Sequence, residues 1–318
     1  MGAMMTDVRQ LPLLQPESPE DLNTHTELRL TIPLFQKHLL KEGKSQHTVN
    51  AFTSDLQLLA DHTGEETPIG DYTTNNLNDF LEWLEFGRGV PCSRKSYARR
   101  VTTLKVFFKW LHSVGALPFD PAKPVLQRSG PAPLAVVLSP REVEAAIRAA
   151  RTMKRGDLPD TRPEMLFRLI LETGIKKNEA MRLTPKDIDR ADPKNPILKV
   201  KYKVRNVYKE RLIPVSSEWV HLLEDYLMQY APQNTIFNCT ARNLEYILTD
   251  IGEAAGIPSK LSFEMLRWTS AVRDKRAGIE EEAIRDKLGL SPISWAETGA
   301  KVRRLVQLQE ADEGVARR

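Results

Sequence analysis

Residues 93–112 read SRKSYARRVTTLKVFFKWLH. Tyr97, Val101, Leu104, Phe108 and Leu111 recur at intervals of three and four, the spacing that lines one face of an α-helix. The helix is read as running from Ser93. If that apolar row faces a core, Arg94, Lys95, Arg99, Arg100, Lys105 and Lys109, together with Thr102 and Thr103, are left for the other faces. From Arg88 to Phe119 the chain carries these six cations and Arg88, and no acidic residue at all. A solvated helix face usually mixes signs. A helix charged with one sign suits a DNA groove, where Arg and Lys neutralise phosphates.

Upstream, the same periodicity appears three more times. Leu30, Leu34, Phe35 and Leu39 form one stripe; Val49, Phe52, Leu56 and Leu59 form another, after Ser45. A third begins near Thr74, read as its N-cap, and holds Leu77, Phe80, Leu81 and Leu84. Together these predict an all-helical four-helix bundle over 27–120. Lys44, Gln46, His47 and Asn50 give the second helix a polar starting edge able to donate to phosphates. Residues 1–26, with Pro12, Pro16 and Pro19 among scattered acids, read as a flexible tail.

Downstream, Pro121 to Pro133 holds four prolines and one glycine, which stops a helix, and 121–138 reads as an interdomain linker. A second domain, 139–318, opens at Ser139-Pro140-Arg141-Glu142, a capping box with proline at the first helical position. Helices are expected near 140–151, 161–173, 217–230, 241–255, 263–277 and 280–288. Ile197 to Val204 and Glu210 to Val215 alternate as strands around a basic hairpin. The expected fold class is therefore mainly α, with a small antiparallel sheet in the second domain.

Hydrophobic residues at 41% and charged residues at 28% exclude a disordered or a membrane class, and no apolar run reaches the roughly 18–20 residues a span needs. No signal-peptide pattern opens the chain, so a cytoplasmic location is expected. Cys92 and Cys239 lie far apart in no CxxC arrangement and suggest neither a disulfide framework nor a metal site. No cofactor is called for. A net charge of +4 decides little by itself, because a nucleic-acid footprint depends on where the charge sits.

Several motifs then fall in one order. In the first domain they are Gly43-Lys44-Ser45-Gln46-His47-Thr48, Ala51-Phe52-Thr53-Ser54-Asp55-Leu56, Lys105-Val106-Phe107-Phe108-Lys109-Trp110-Leu111 and Asp120-Pro121-Ala122. In the second they are Glu172-Thr173-Gly174-Ile175 with Glu179 and Leu183, Lys209-Glu210-Arg211-Leu212-Ile213-Pro214, Leu266-Arg267 and Leu288-Gly289. From Leu28 to about Gly289 the chain resembles the tyrosine recombinases, the phage integrase family with Xer-like two-domain architecture. That resemblance implies a SAM-like core-binding domain followed by a catalytic-type domain that cuts and rejoins DNA through a phosphotyrosyl intermediate. The chemistry needs two arginines and a lysine to stabilise the pentavalent phosphorus, a histidine, a histidine or tryptophan, and an attacking tyrosine.

Carried over position by position, the resemblance breaks. Lys176 stands for the first arginine and loses the planar fork that grips two oxygens. Asn206 aligns with the hairpin lysine, although Lys203, Arg205 and Lys209 are near enough for a shifted hairpin to supply a cation. Arg267 retains the second arginine. Glu264 and Leu290 occupy the two proton-handling positions, and Gly299 the nucleophile's. Trp295 is wrongly spaced to substitute and is read as a packing residue. The last tyrosine is Tyr246 and the last histidine His221, so no slip in alignment restores either. Ser294 and Thr298, with Tyr202 and Tyr208 in the hairpin, are the candidate replacement hydroxyls.

These readings lead to a DNA-binding protein that organises DNA or modulates recombination without cleaving it. Its contacts are expected at Lys44, His47, Arg94, Lys95, Arg99, Arg100, Thr103 and Lys105, and at Lys176, Lys203, Arg205, Lys209 and Arg267, in a two-domain clamp on duplex DNA. The alternatives are an active site-specific recombinase with a rearranged nucleophile and a protein-interaction adaptor. Lys301 to Val306 resembles the helix by which family members join a neighbour, implying a homo-oligomer on DNA or pairing with an active recombinase. A terminal amphipathic helix of this kind more often packs on its own domain.

Overall fold

The computed structural model describes residues 16–126, 133–204 and 207–316. The chain divides into two compact units, Met1–Pro131 and Ala132–Arg318. Of the segment read as a linker, 127–132 lies outside the described residues; Ala122 and Val125 are buried in the first unit and Leu138 in the second.

The first unit is built from α1 (Leu28–Lys41), α2 (Gln46–Thr63), α3 (Thr74–Glu82) and α4 (Arg94–Ser113), with a π-helical turn, Trp83–Gly87, continuing α3. The apolar rows read from sequence converge: Phe35, Leu39, Leu56, Leu59, Leu77, Phe80, Val101, Leu104 and Phe108 are all essentially inaccessible. Each such side chain contributes about 1.5–3 kcal/mol by leaving water. Phe107, absent from the apolar row assigned to α4, is buried too and meets Phe35 edge-on at 5.1 Å. The α3 cap is Thr73 rather than Thr74: its side chain accepts from Asn76 N–H and Asn76 Oδ1 accepts from Thr73 N–H. Thr74 instead donates to the Pro121 carbonyl at 2.8 Å. The tail read over 1–26 is packed near its end, where Leu22 and Thr26 are buried; residues 1–15 lie outside the described residues.

The second unit is organised around α6 (Arg162–Thr173), whose Met165, Leu166, Phe167, Leu169 and Ile170 are fully buried. Against it pack α5 (Pro140–Thr152), α8 (Ser217–Tyr230), α9 (Ala241–Ala254) and α10 (Phe263–Arg276). A two-residue ladder, β1 (Lys154–Arg155) with β2 (Leu158–Pro159), precedes α6, and the short α7 (Lys177–Ala180) follows it. The antiparallel sheet runs β3 (Ile188–Asp189), β4 (Ile197–Val204), β5 (Val207–Pro214), with Ile197 opposite Pro214 and Val200 opposite Arg211. Thus β5 starts three residues before the sequence reading places it. Two closing helices, α11 (Glu281–Lys287) and α12 (Pro292–Ala316), build a smaller core from Ala271, Val272, Ile284, Leu288, Val302 and Leu305. The 301–306 segment therefore packs in its own unit through Val302 and Leu305. No helix among the described residues is long and apolar enough to cross a membrane.

Candidate functional site

In the second unit two glycine turns face one arginine. Helix α6 ends at Gly174, whose left-handed backbone (φ 58°) carries the N–H that caps Ile170. The left-handed conformation favours glycine, and a Cβ there would lie 2.7 Å from Leu288 Cδ2 and force that side chain to shift. The turn buries Ile175 and releases Lys176 at the head of α7. The second turn is Gly289 (φ 61°), where a Cβ would meet the Arg211 guanidinium at 2.9 Å. Arg267, from α10, donates one N–H to the Gly174 carbonyl and another to that of Leu288.

Beneath this lies a buried ion pair. Arg211, on β5, donates to Glu179 Oε1 at 3.0 Å and Oε2 at 2.6 Å, and its Nε donates to the Lys287 carbonyl at 2.8 Å. Glu179 Oε2 also accepts from Lys176 N–H at 2.8 Å. Burial alone would raise the Glu179 carboxyl, but the hydrogen bonds and charge of Arg211, with Lys176, hold it below the usual range. Burial lowers the Arg267 pKa to about 10, opposed by Glu179 and assisted by Arg211. Lys176 is exposed as a residue, yet loss of water around its ammonium lowers its pKa; Glu179 opposes this, and Arg267 and Arg211 reinforce it. With Arg211 neutralised by Glu179, Lys176 and Arg267 are left as adjacent cations that can hold an oxyanion in its ground state.

The other sequence-derived positions separate. Glu264 is exposed in the first turn of α10. Leu290 packs against the small α11–α12 core. At Gly299, on α12, a Cβ would come within 2.9 Å of the Trp295 indole, which covers that point of the helix. Trp295 packs in the same core, its Nε1 3.4 Å from Glu281 Oε2. Lys209 is exposed; Arg205 and Asn206 lie outside the described residues, and Lys203 is described only as part of β4. Arg211 was not singled out among the site residues. The available signal is its spacing: two residues before Ile213 on one strand, it shares the buried face with Ile213, while Leu212 between them is exposed.

In the first unit the basic helix needs correction. Asp55 of α2, 2% exposed, accepts from Arg99 through both oxygens at 2.6 and 3.0 Å and from Thr103 Oγ1 at 2.9 Å, with Arg100 Nε 3.5 Å away. Thr103 and Arg100 are buried and face inward, and Arg99 lies with its fork on Asp55 and its edge in water. A face with no acid within its own helix is neutralised by one 44 positions away. Arg94, Lys95 and Lys109 remain exposed, Lys105 is half-buried, and none of the four has a carboxylate partner among the described residues. Lys44 and His47 are exposed at the start of α2.

Residues 137–298 match the profile described as the phage integrase family, and residues 32–115 the profile described as phage integrase, N-terminal SAM-like domain. The chain belongs to the phage integrase family. Curated relatives include Tyrosine recombinase XerC of Mycobacterium sp. (strain KMS), 25% identical over 276 residues, covering 82% of this chain and 90% of that one. Tyrosine recombinase XerC of Myxococcus xanthus is 27% identical over 302 residues, covering 87% and 94%. Among solved structures, the XerH site-specific recombinase bound to palindromic difH substrate aligns with a TM-score of 0.68 at 16% identity, over 94% of this chain and 93% of that one. A lambda integrase tetramer bound to a Holliday junction aligns with a TM-score of 0.68 at 17% identity, over 87% and 78%. At these identities the solved structures establish that this integrase-family chain shares their fold. The Gly174 turn, Lys176, Arg267 and the Gly289 turn all fall within the matched 137–298 segment.

Proposed function

We propose that this integrase-family chain binds duplex DNA and neither cuts nor rejoins it, organising DNA or modulating an active recombinase. The observation that carries the proposal is the state of the nucleophile's position: Gly299 has no side chain, its place is covered by the Trp295 indole, and no tyrosine follows Tyr246. Leu290 and Glu264 add to it, since one cannot exchange a proton and the other repels a phosphate. Binding draws support from Lys176 and Arg267, from exposed Arg94, Lys95 and Lys109, and from the DNA-bound state of the XerH and lambda integrase neighbours. The tetramer of the latter supports assembly on DNA. A cytoplasmic location fits such a role.

The test is a denaturing gel of the protein with a nicked suicide duplex. No covalent adduct is expected. An adduct that disappears when one hydroxyl residue, among Tyr202, Tyr208, Ser294 and Thr298, is replaced would overturn the reading in favour of an active recombinase. A mobility-shift titration at low salt separates the adaptor reading: DNA affinity should fall by roughly 0.9 log unit per phosphate contact per log unit of salt, whereas an adaptor shows no shift.

A further inference from the structure

At the opposite end of α6 from Gly174, twelve residues or about 18 Å along the helix, lies a cleft unrelated to the Lys176 and Arg267 surface. Its volume is about 520 Å³, and Arg155, Asp160, Arg162, Gln229, Tyr230 and Asn243 are among the residues lining it. That size falls in the range of ligand clefts, roughly 300–1,000 Å³. Two guanidinium groups lie over one ring: Arg155 at 4.6 Å and Arg162 at 3.9 Å from the Tyr230 centroid. The Tyr230 hydroxyl donates to Asp160 Oδ1 at 2.7 Å, and the Arg162 backbone N–H donates to the same oxygen at 3.0 Å. Asp160 thus serves the ring and the helix start, and no side-chain ion pair joins it to either arginine among the described residues.

The donors in the cleft exceed the acceptors. Arg162 gives Nη2–H to Asn238 Oδ1 at 2.9 Å and Nη1–H to Asn243 Oδ1 at 3.5 Å, while its Nε, buried as an atom, has no hydrogen-bond partner. With both amide oxygens turned to Arg162, the NH₂ groups of Asn238 and Asn243 remain as donors. Arg155 has no carboxylate partner among the described residues. Two helices, α6 and α9, begin at the cleft, and helix starts add positive potential. Against two arginines there is one carboxylate.

We propose that this cleft is a binding site for a phosphoryl group. A planar carboxylate offers two oxygens to donors that come from β1, from the start of α6, from the loop at Asn238 and from the first turn of α9. A tetrahedral phosphoryl group offers three or four oxygens in directions that reach them together, and guanidinium forks match its edges. The group can be that of a free phosphate or nucleotide, or a backbone phosphate of a nucleic acid lying away from the Lys176 surface.

The full-length protein in phosphate-free, low-salt buffer tests this. Inorganic phosphate and adenosine 5′-monophosphate are titrated calorimetrically, and a short duplex is titrated by fluorescence anisotropy. Arg155→Ala, on an exposed ladder, and Asn243→Asp, at an exposed helix start, spare the core; Lys194→Ala, an exposed cation near the start of α8 and away from Tyr230, is the control. Saturable binding of phosphate or the nucleotide that weakens about tenfold in each cleft variant, and not in the control, supports the site and a free ligand. Failure of both small ligands, with a similar loss of duplex affinity in the cleft variants, supports a backbone phosphate. Absence of all three effects overturns the proposal. So does binding of a glutamate-rich peptide with no response to phosphate or duplex.

Discussion

Removing either member of the Glu179–Arg211 pair should destabilise the second unit severely, and removing both together should cost far less. The two side chains are 5% and 7% exposed. In Glu179→Leu, Arg211 keeps its charge in a buried place with only the Lys287 carbonyl for company, and Lys176 N–H loses its acceptor. In Arg211→Met the carboxylate is stranded instead. Breaking a buried pair from one side costs about 3–5 kcal/mol. Glu179→Leu with Arg211→Met removes both charges, leaving the Lys176 N–H and Lys287 carbonyl without partners at about 1 kcal/mol each, so a loss of about 2 kcal/mol is expected. The coupling energy is then at least about 4 kcal/mol. Urea unfolding read by fluorescence in a Trp83→Phe, Trp110→Phe background confines the signal to Trp219, Trp268 and Trp295, all in the second unit. Single-variant losses below about 1 kcal/mol, or losses that add, would refute the account of this pair as mutually dependent.

The same carboxylates make the second unit acid-sensitive. Glu179, Glu164 and Asp187 all titrate below their ordinary range when folded, burial opposing and hydrogen-bonded cations prevailing. A depressed folded pKa contributes stability above the unfolded value, about 4–4.5, and loses it as pH falls through the folded one. Urea midpoints should therefore drop below about pH 4.5, and a flat profile from pH 6 to pH 3 would contradict this. Gly174→Ala places a Cβ 2.7 Å from Leu288 in a left-handed turn and should cost about 1–3 kcal/mol; a neutral effect on the same unfolding curve would show that the turn relaxes freely. In the first unit, Arg94→Ala, Lys95→Ala and Lys109→Ala together should weaken duplex binding and flatten its salt dependence without moving the melting temperature. Asp55→Ala should lower the melting temperature, because Arg100 and Thr103 are buried around that carboxylate, and an unchanged value would remove Asp55 from the core.

Much of the fold is legible without coordinates. The helices beginning at 94, 140, 162, 217, 241 and 263 start within a residue or two of their expected places, because a period of 3.6 set against proline, glycine and capping residues marks both face and end. What was not legible has physical reasons. The ladder of β1 with β2 and the single turn of α7 are too short to show a period. Helix α12 runs 25 residues, yet its sequence suggests amphipathic character only at 301–306, since Gly299 and the acidic end around Glu310 interrupt the pattern.

The site divides the same way. Which residues are missing is a property of the sequence alone: no packing places a tyrosine after Tyr246 or a histidine after His221, because a side chain's chemistry is fixed by its identity. Which of the charges present stay available was decided only by tertiary structure. Arg99, Arg100 and Thr103 read as a bare cationic face until Asp55 arrives from α2, and Arg211 reads as one surface cation among many until Glu179 and the Gly289 turn enclose it. A charge is neutralised by whatever opposite charge lies within a few ångströms, and burial multiplies that effect. Distance in space, which local sequence does not report, therefore sets which cations this integrase-family chain can offer to a phosphate.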